Sequence, residues 1–229
     1  MISKNRLTQF ANHSVLSAFL FMLVCALIVP VQAQAKSDPF VLPSLNAFAK
    51  TVKNGDARVA RGVYVPRVMA LPVVQQPEGD FKFVSKHSLV VTQFSLADKF
   101  GNIGLLAHNT LAGKLFFNIA PNDQIVIVYG DGRMETFLAE SVLRYQALPQ
   151  NEYKDLKTKR IVSAKELIKI AYRGKYHVAL QTCIAQKGDF NWGILFVIAK
   201  PLVNQNAENN LLNQIKAPLT LGWPLLRRN

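Results

Sequence analysis

At 229 residues, half of them apolar, the chain is long enough for one ordinary domain with a sizeable core, and this composition excludes general disorder. Its 27 Lys and Arg against 14 Asp and Glu leave a formal charge of +13, which favours contact with anionic surfaces. The basic residues are scattered and not grouped in runs interleaved with aromatics, so no nucleic-acid groove is expected.

The first segment carries Lys4 and Arg6, then the continuously apolar "SVLSAFLFMLVCALIV", then small residues at Ala33 and Ala35. That order of charge, apolar run and small residues predicts a secretory signal peptide over 1–35, cut after Ala35. The competing expectation is an uncleaved anchor, because the run approaches the lower length of a membrane span. Pro30 and the Ala-Gln-Ala ending favour cleavage, and Cys25, inside the run, is expected to leave with the signal. The exported chain then keeps a charge of +11, since residues 1–35 hold Lys4 and Arg6 and no acidic residue.

Residues 36–61 are polar and mixed, with "SDPF" and "KNGD" as turn signals, and read as a linker. The domain is expected over 62–202. "GVYVPRVMALPVVQQP" and "FKFVSKHSLVVTQFS" have the β-branched and aromatic content of strands, and "IGLLAH" is a short apolar strand ending at His108. "NTLAGKLFFNI" reads as a short helical segment. "QIVIVYGDGRMETFLAESVLRY" is a hairpin turning at Asp131-Gly132. "LPQNEYKDLKTKR" reads as a charged loop, and "SAKELIKIAYRG" as a helix with Ser163 and Glu166 at capping-box spacing and Gly174 as its stop. "YHVALQTCIA" and "WGILFVIAKP" are the last two strands, and an Asn-rich tail follows over 203–229. Many short strands with few helices indicate an all-β barrel or sandwich of antiparallel strands.

Without Cys25, Cys183 is the single cysteine of the exported chain, so an internal disulfide is impossible. A buried inert thiol, an intermolecular bridge and a reactive nucleophile remain. A nucleophile needs a proton-transfer partner, because the thiolate is the attacking species. His108, at the end of another strand, has the right chemistry and placement. His177 lies six residues before Cys183 on one strand, about 20 Å away in extended geometry, and reads as a surface histidine. His87 has no motif around it. One cysteine and scattered histidines supply no closed ligand set, so no metal is expected.

At "LLAHNTLAGKLFFNI", "GDGRMETF" and "LQTCIAQ…WGILFVIA" the chain resembles the sortases, exported cysteine transpeptidases with a closed β-barrel fold. The resemblance covers roughly residues 62–202 and implies a closed barrel of about eight strands with one or two short helices. It implies catalytic positions for His108 and Cys183. It also implies an arginine directly after the Trp-Gly pair, where this chain has Ile194. The implied reaction is attack of the Cys183 thiolate on a backbone carbonyl in a short sorting motif of exported proteins. A thioester forms, and an amine acceptor such as a cell-wall precursor resolves it. No metal or organic cofactor is implied, and the protein would work as a secreted protein or at the extracytoplasmic face of the membrane, its basic surface against anionic envelope polymers. The alternative is a catalytically impaired barrel of the same fold that binds peptide or cell-wall material, because an aliphatic Ile194 cannot donate a hydrogen bond to an oxyanion.

Overall fold

The computed structural model describes residues 41–202; the expected signal peptide and the Asn-rich tail lie outside the described residues. Ten strands are present: β1 (Ala60–Val65), β2 (Met69–Gln75), β3 (Val91–Gln93), β4 (Ile103–Leu106), β5 (Gln124–Tyr129), β6 (Met134–Leu148), β7 (Glu152–Asp155), β8 (Ile161–Ser163), β9 (Val178–Gln186) and β10 (Asp189–Pro201). The helical elements are short: α1 (Leu45–Val52), α2 (Ser95–Asp98), α3 (Ala164–Tyr172) and a 3-10 helix over Ala112–Asn118.

The sheet runs β10-β9-β4-β3-β2-β1-β5-β6, and a further β6–β10 pairing joins its two ends into a closed barrel of eight strands. The length of β6 makes closure possible. Its first residues pair with β5, while Phe137–Gln146 pair with β10. Closure leaves no bare edge within the ring. β7 and β8 extend from the far half of β6, outside the barrel.

Two of the eight seams, β2–β3 and β4–β9, are parallel, where the strand-and-turn pattern points to antiparallel pairing. A parallel pair needs a long crossover. Residues 76–90 supply one, and the excursion through β5, β6, β7, β8 and α3 supplies the other. The first crossover replaces part of an expected strand: of "FKFVSKHSLVVTQFS", β3 takes Val91–Gln93 alone. The Gln76 side chain holds this loop by donating to the carbonyls of Phe81 (3.2 Å) and Phe83 (3.0 Å). The segment read as a charged loop, in turn, contains β7, and β8 follows directly after it.

Alternation along the strands divides two cores. Val63, Val65, Leu105, Ile125, Ile127, Leu180, Leu195 and Val197 face the barrel interior with Phe116 of the 3-10 helix. On the outer face, Leu167, Ala171 and Tyr172 of α3 pack on Tyr145, Ala179 and Phe196. The hairpin between β5 and β6 turns where expected. Gly132 takes φ +94°, and Asp131 Oδ1 accepts from the Arg133 N–H at 2.9 Å. Ser163 caps α3 through the Glu166 N–H (3.2 Å), and Gly174 follows its end at φ +119°. The Glu166 side chain pairs with Arg160 and does not close the capping box.

Within the stretch expected as a polar linker, residues 45–52 are helical. Ser44 Oγ accepts from the Ala47 N–H (3.2 Å), and Phe48 and Ala49 are buried against Val128. Gly62 makes room for this contact: a Cβ there would lie 2.8 Å from the Phe48 ring. The Leu45, Phe48, Ala49, Val52 spacing is an apolar helical stripe, which the surrounding polar residues obscure.

Candidate active site

The site is built on the parallel seam between β4 and β9. Register runs Ile103↔Val178 to Leu106↔Gln181. The Ala107 N–H donates to the Gln181 carbonyl at 3.2 Å, and Thr182 Oγ1 donates to the Ala107 carbonyl at 2.8 Å. Continued in this register, His108 falls directly across from Cys183. Parity places both on one face: Ile103, Leu105 and Ala107 of one segment, and Val178 and Leu180 of the other, belong to the interior core, so His108 and Cys183 alternate to the outside.

Cys183 lies within β9 and not at its end. β9 runs three residues further, to Gln186, and turns at Lys187 (φ 50°) and Gly188 (φ 85°). β4 ends at Leu106, two residues before His108, while Cys183 stays paired with Ile194 of β10 on its other side. His108 is exposed, whereas Cys183 is half-buried and free. Burial pushes the Cys183 thiol above its ordinary value, and no charge among the described residues offsets the effect.

Several contacts hold the segment after His108. Its carbonyl accepts from the N–H groups of Leu111 (2.9 Å) and Gly113 (3.0 Å). A Cβ on Gly113 would overlap Thr182 Oγ1 and come within 2.7 and 2.8 Å of the Ala107 and His108 carbonyl oxygens. Only glycine lets the 3-10 helix approach this closely. Asn109 Nδ2 donates to the Phe190 carbonyl at 2.9 Å, tying the segment to the β9–β10 hairpin.

On the other flank, Ile194 of β10 is the direct partner of Cys183, and Tyr145 of β6 is the partner of Ile194. Gly193 admits this pairing, since a Cβ there would overlap the Tyr145 carbonyl oxygen. Ile194 packs in the outer core with Tyr145 and Phe196. Arg133 and Arg173 are engaged elsewhere. Arg133 pairs with Glu135 and lies 3.8 Å over the Tyr129 ring. Arg173 lies 4.3 Å over Phe100, near the start of β4 and so about 17 Å along the strands from Cys183.

His177 is a correction to the sequence reading. It is 5% exposed, with its ring nitrogens 2.8 and 2.9 Å from the carbonyls of Lys175 and Ala171. His87 and His108 both line a cavity of about 620 Å³. No motif marks His87, Lys82 or Lys86 for this position; the fold of loop 76–90 brings them there. Among the described residues there is no group of three or more His, Cys, Asp or Glu side chains able to hold a metal, and no helix is long and apolar enough to cross a membrane.

No protein-family model and no curated protein matches the chain. Solved structures do. Sortase A from Corynebacterium diphtheriae is 13% identical at TM-score 0.43, over 67% of this chain and 66% of that one. The SrtA sortase from Actinomyces oris is 13% identical at TM-score 0.44, over 65% and 82%. The sortase D5 transpeptidase from Clostridium perfringens is 14% identical at TM-score 0.43, over 70% and 90%.

All three are sortases. This chain spans just under two thirds of the Corynebacterium protein's length.

Proposed function

We propose that the protein is an exported, sortase-like cysteine transpeptidase with Cys183 as nucleophile and His108 as its proton-transfer partner. The observation that carries this reading is the parallel β4–β9 register from Ile103↔Val178 to Leu106↔Gln181, extended by the Thr182 Oγ1 to Ala107 carbonyl bond, whose continuation leads to His108 and Cys183 on the outer face.

The chemistry follows from their environments. A half-buried thiol with no cation beside it is mostly protonated, so it becomes a nucleophile when a base takes its proton. His108 is the basic side chain across the seam. Sγ attacks a backbone carbonyl carbon of a short sorting motif, the C–N bond breaks, and His108 delivers a proton to the leaving amine. The thioester then reacts with an incoming amine, such as that of a cell-wall precursor, which gives its proton back through His108. Ile194 contributes no donor to the oxyanion. Loss of one such donor typically costs on the order of 10² to 10³ in rate, so turnover is expected to be slow. Residues 1–35 would direct export, and the basic surface would hold the barrel against anionic envelope polymers.

A peptide carrying a thiol-reactive carbonyl mimic tests the reading. Rapid labelling of Cys183 that is lost in His108→Ala supports the pair. Slow labelling indifferent to His108 would overturn it and leave a barrel that binds peptide or wall material without catalysis.

A further inference from the structure

α3 ends against two buried side chains. Asn102 donates through Nδ2 to the Tyr172 carbonyl at 2.9 Å, and its Oδ1 accepts the His177 N–H at 2.8 Å. The His177 ring lies with Nδ1 2.8 Å from the Lys175 carbonyl and Nε2 2.9 Å from the Ala171 carbonyl. A carbonyl oxygen only accepts, and a neutral imidazole has a single N–H to give. Both contacts are hydrogen bonds at once only when the ring carries two protons, so this geometry describes a buried imidazolium. It covers the last carbonyls of α3, where the helix dipole favours a cation.

The surroundings of that charge are cationic too. The β9–β10 register continued one step past Ala199↔Val178 sets Lys200 across from His177. Ala199 and Val178 belong to the interior core, so Lys200 and His177 alternate to the outer face. There a cavity of about 260 Å³ is lined by Ile170, Arg173, Lys175, His177, Ile198 and Lys200, with no carboxylate in the lining. Lys200 pairs with Glu140, outside the lining. Among the described residues, Arg173 and Lys175 form no salt bridge. Arg173 stacks 4.3 Å over the Phe100 ring, which holds its guanidinium without using its N–H groups.

We propose that this cavity binds a phosphate group. The inference does not depend on the transpeptidase reading, since the cavity lies at the opposite end of β9 from Cys183. A planar guanidinium fork and two compact ammonium groups around one cavity match a tetrahedral, multiply charged oxyanion. The bound oxyanion supplies the counter-charge that the His177 imidazolium lacks. Free phosphate and the headgroup of an anionic lipid share this chemistry. Ile170 and Ile198 give the carbon part of a phosphate ester an apolar wall.

The test titrates the full chain with inorganic phosphate, with chloride at equal ionic strength, and with a soluble short-chain phosphatidylglycerol, while the His177 ring is followed by NMR. Before any addition the ring should show two N–H signals. Phosphate should shift both, and its affinity should fall about tenfold in the Arg173→Ala, Lys175→Ala double variant. Both residues are exposed, so the fold does not rest on them. The lipid arm is judged by the same loss in the double variant. Binding of the lipid at least as tight as that of phosphate assigns the site to a headgroup, and weaker binding assigns it to free phosphate; either supports the proposal. A single ring N–H signal, equal shifts with chloride, or a phosphate affinity unchanged in the double variant would each overturn it.

Discussion

Thr182 Oγ1 donates a buried hydrogen bond to the carbonyl of Ala107, 2.8 Å away. It joins the residue before Cys183 to the residue before His108, across 75 positions of chain. Thr182→Val keeps the shape and removes the donor, leaving that carbonyl short of a partner. The expected cost is about 1–3 kcal/mol in denaturant unfolding. Labelling of Cys183 by a peptide analogue should slow more than labelling by a small alkylating agent, because the analogue needs His108 in place. Equal slowing would mean that the bond serves stability alone.

Gly113→Ala should be worse for the site than its single methyl suggests. The added carbon meets Thr182 Oγ1 and two backbone carbonyls, none of which is the free end of a flexible side chain. Either the 3-10 helix backs away or the seam opens, at about 1–3 kcal/mol. Loss of His108-dependent labelling in a variant that still folds by circular dichroism is the expected result.

Ile194→Arg places a cation beside Cys183, opposing the burial that now raises the thiol. The pH at which alkylation of Cys183 reaches half its maximal rate should lie above that of a free thiol in the natural protein and fall in the variant. The stability linkage has a definite sign. Because the folded thiol titrates later than the unfolded one, its contribution is complete below the unfolded value and is lost as pH rises through the folded one. Alkaline unfolding should therefore come at higher pH once Cys183 is replaced by Ser. Turnover should rise in Ile194→Arg, at some loss of stability from disturbing the packing with Tyr145 and Phe196. Unchanged turnover would show that a donor at position 194 is not what limits the reaction.

His177 tests the opposite end of β9. His177→Phe leaves the carbonyls of Ala171 and Lys175 without the ring that now reaches them. A destabilisation of about 1–3 kcal/mol is expected in urea unfolding. Labelling of Cys183 should be unaffected, since Val178 to Cys183 spans about 17 Å of strand. A marked change in labelling would mean that α3 communicates with the site.

Local patterns carried the sequence reading far where the determinant was local. The Asp131-Gly132 hairpin, the Ser163 cap and the Gly174 stop were legible because each is set by residues within four positions. Helix α1 was missed because its stripe of Leu45, Phe48, Ala49 and Val52 is short and set among polar neighbours. Its burial depends on Val128, far along the chain. His177 was misread for the same reason: burial comes from α3 and from Asn102, whose Oδ1 accepts the His177 N–H at 2.8 Å.

The sequence by itself determined which residues have the chemistry for a nucleophile and its proton partner, and that Cys183 lies on a strand. Side-chain type and alternation are properties of a few neighbouring positions. Only the tertiary structure decided that β4 and β9 run parallel, in a register from Ile103↔Val178 to Leu106↔Gln181 that leads toward His108 and Cys183, with Ile194 across from the thiol. It also decided that loop 76–90 walls a cavity that His108 lines. Register between strands more than seventy residues apart is chosen by which faces must be buried together and by how the barrel closes. No stretch of chain short enough to read as a motif contains that information.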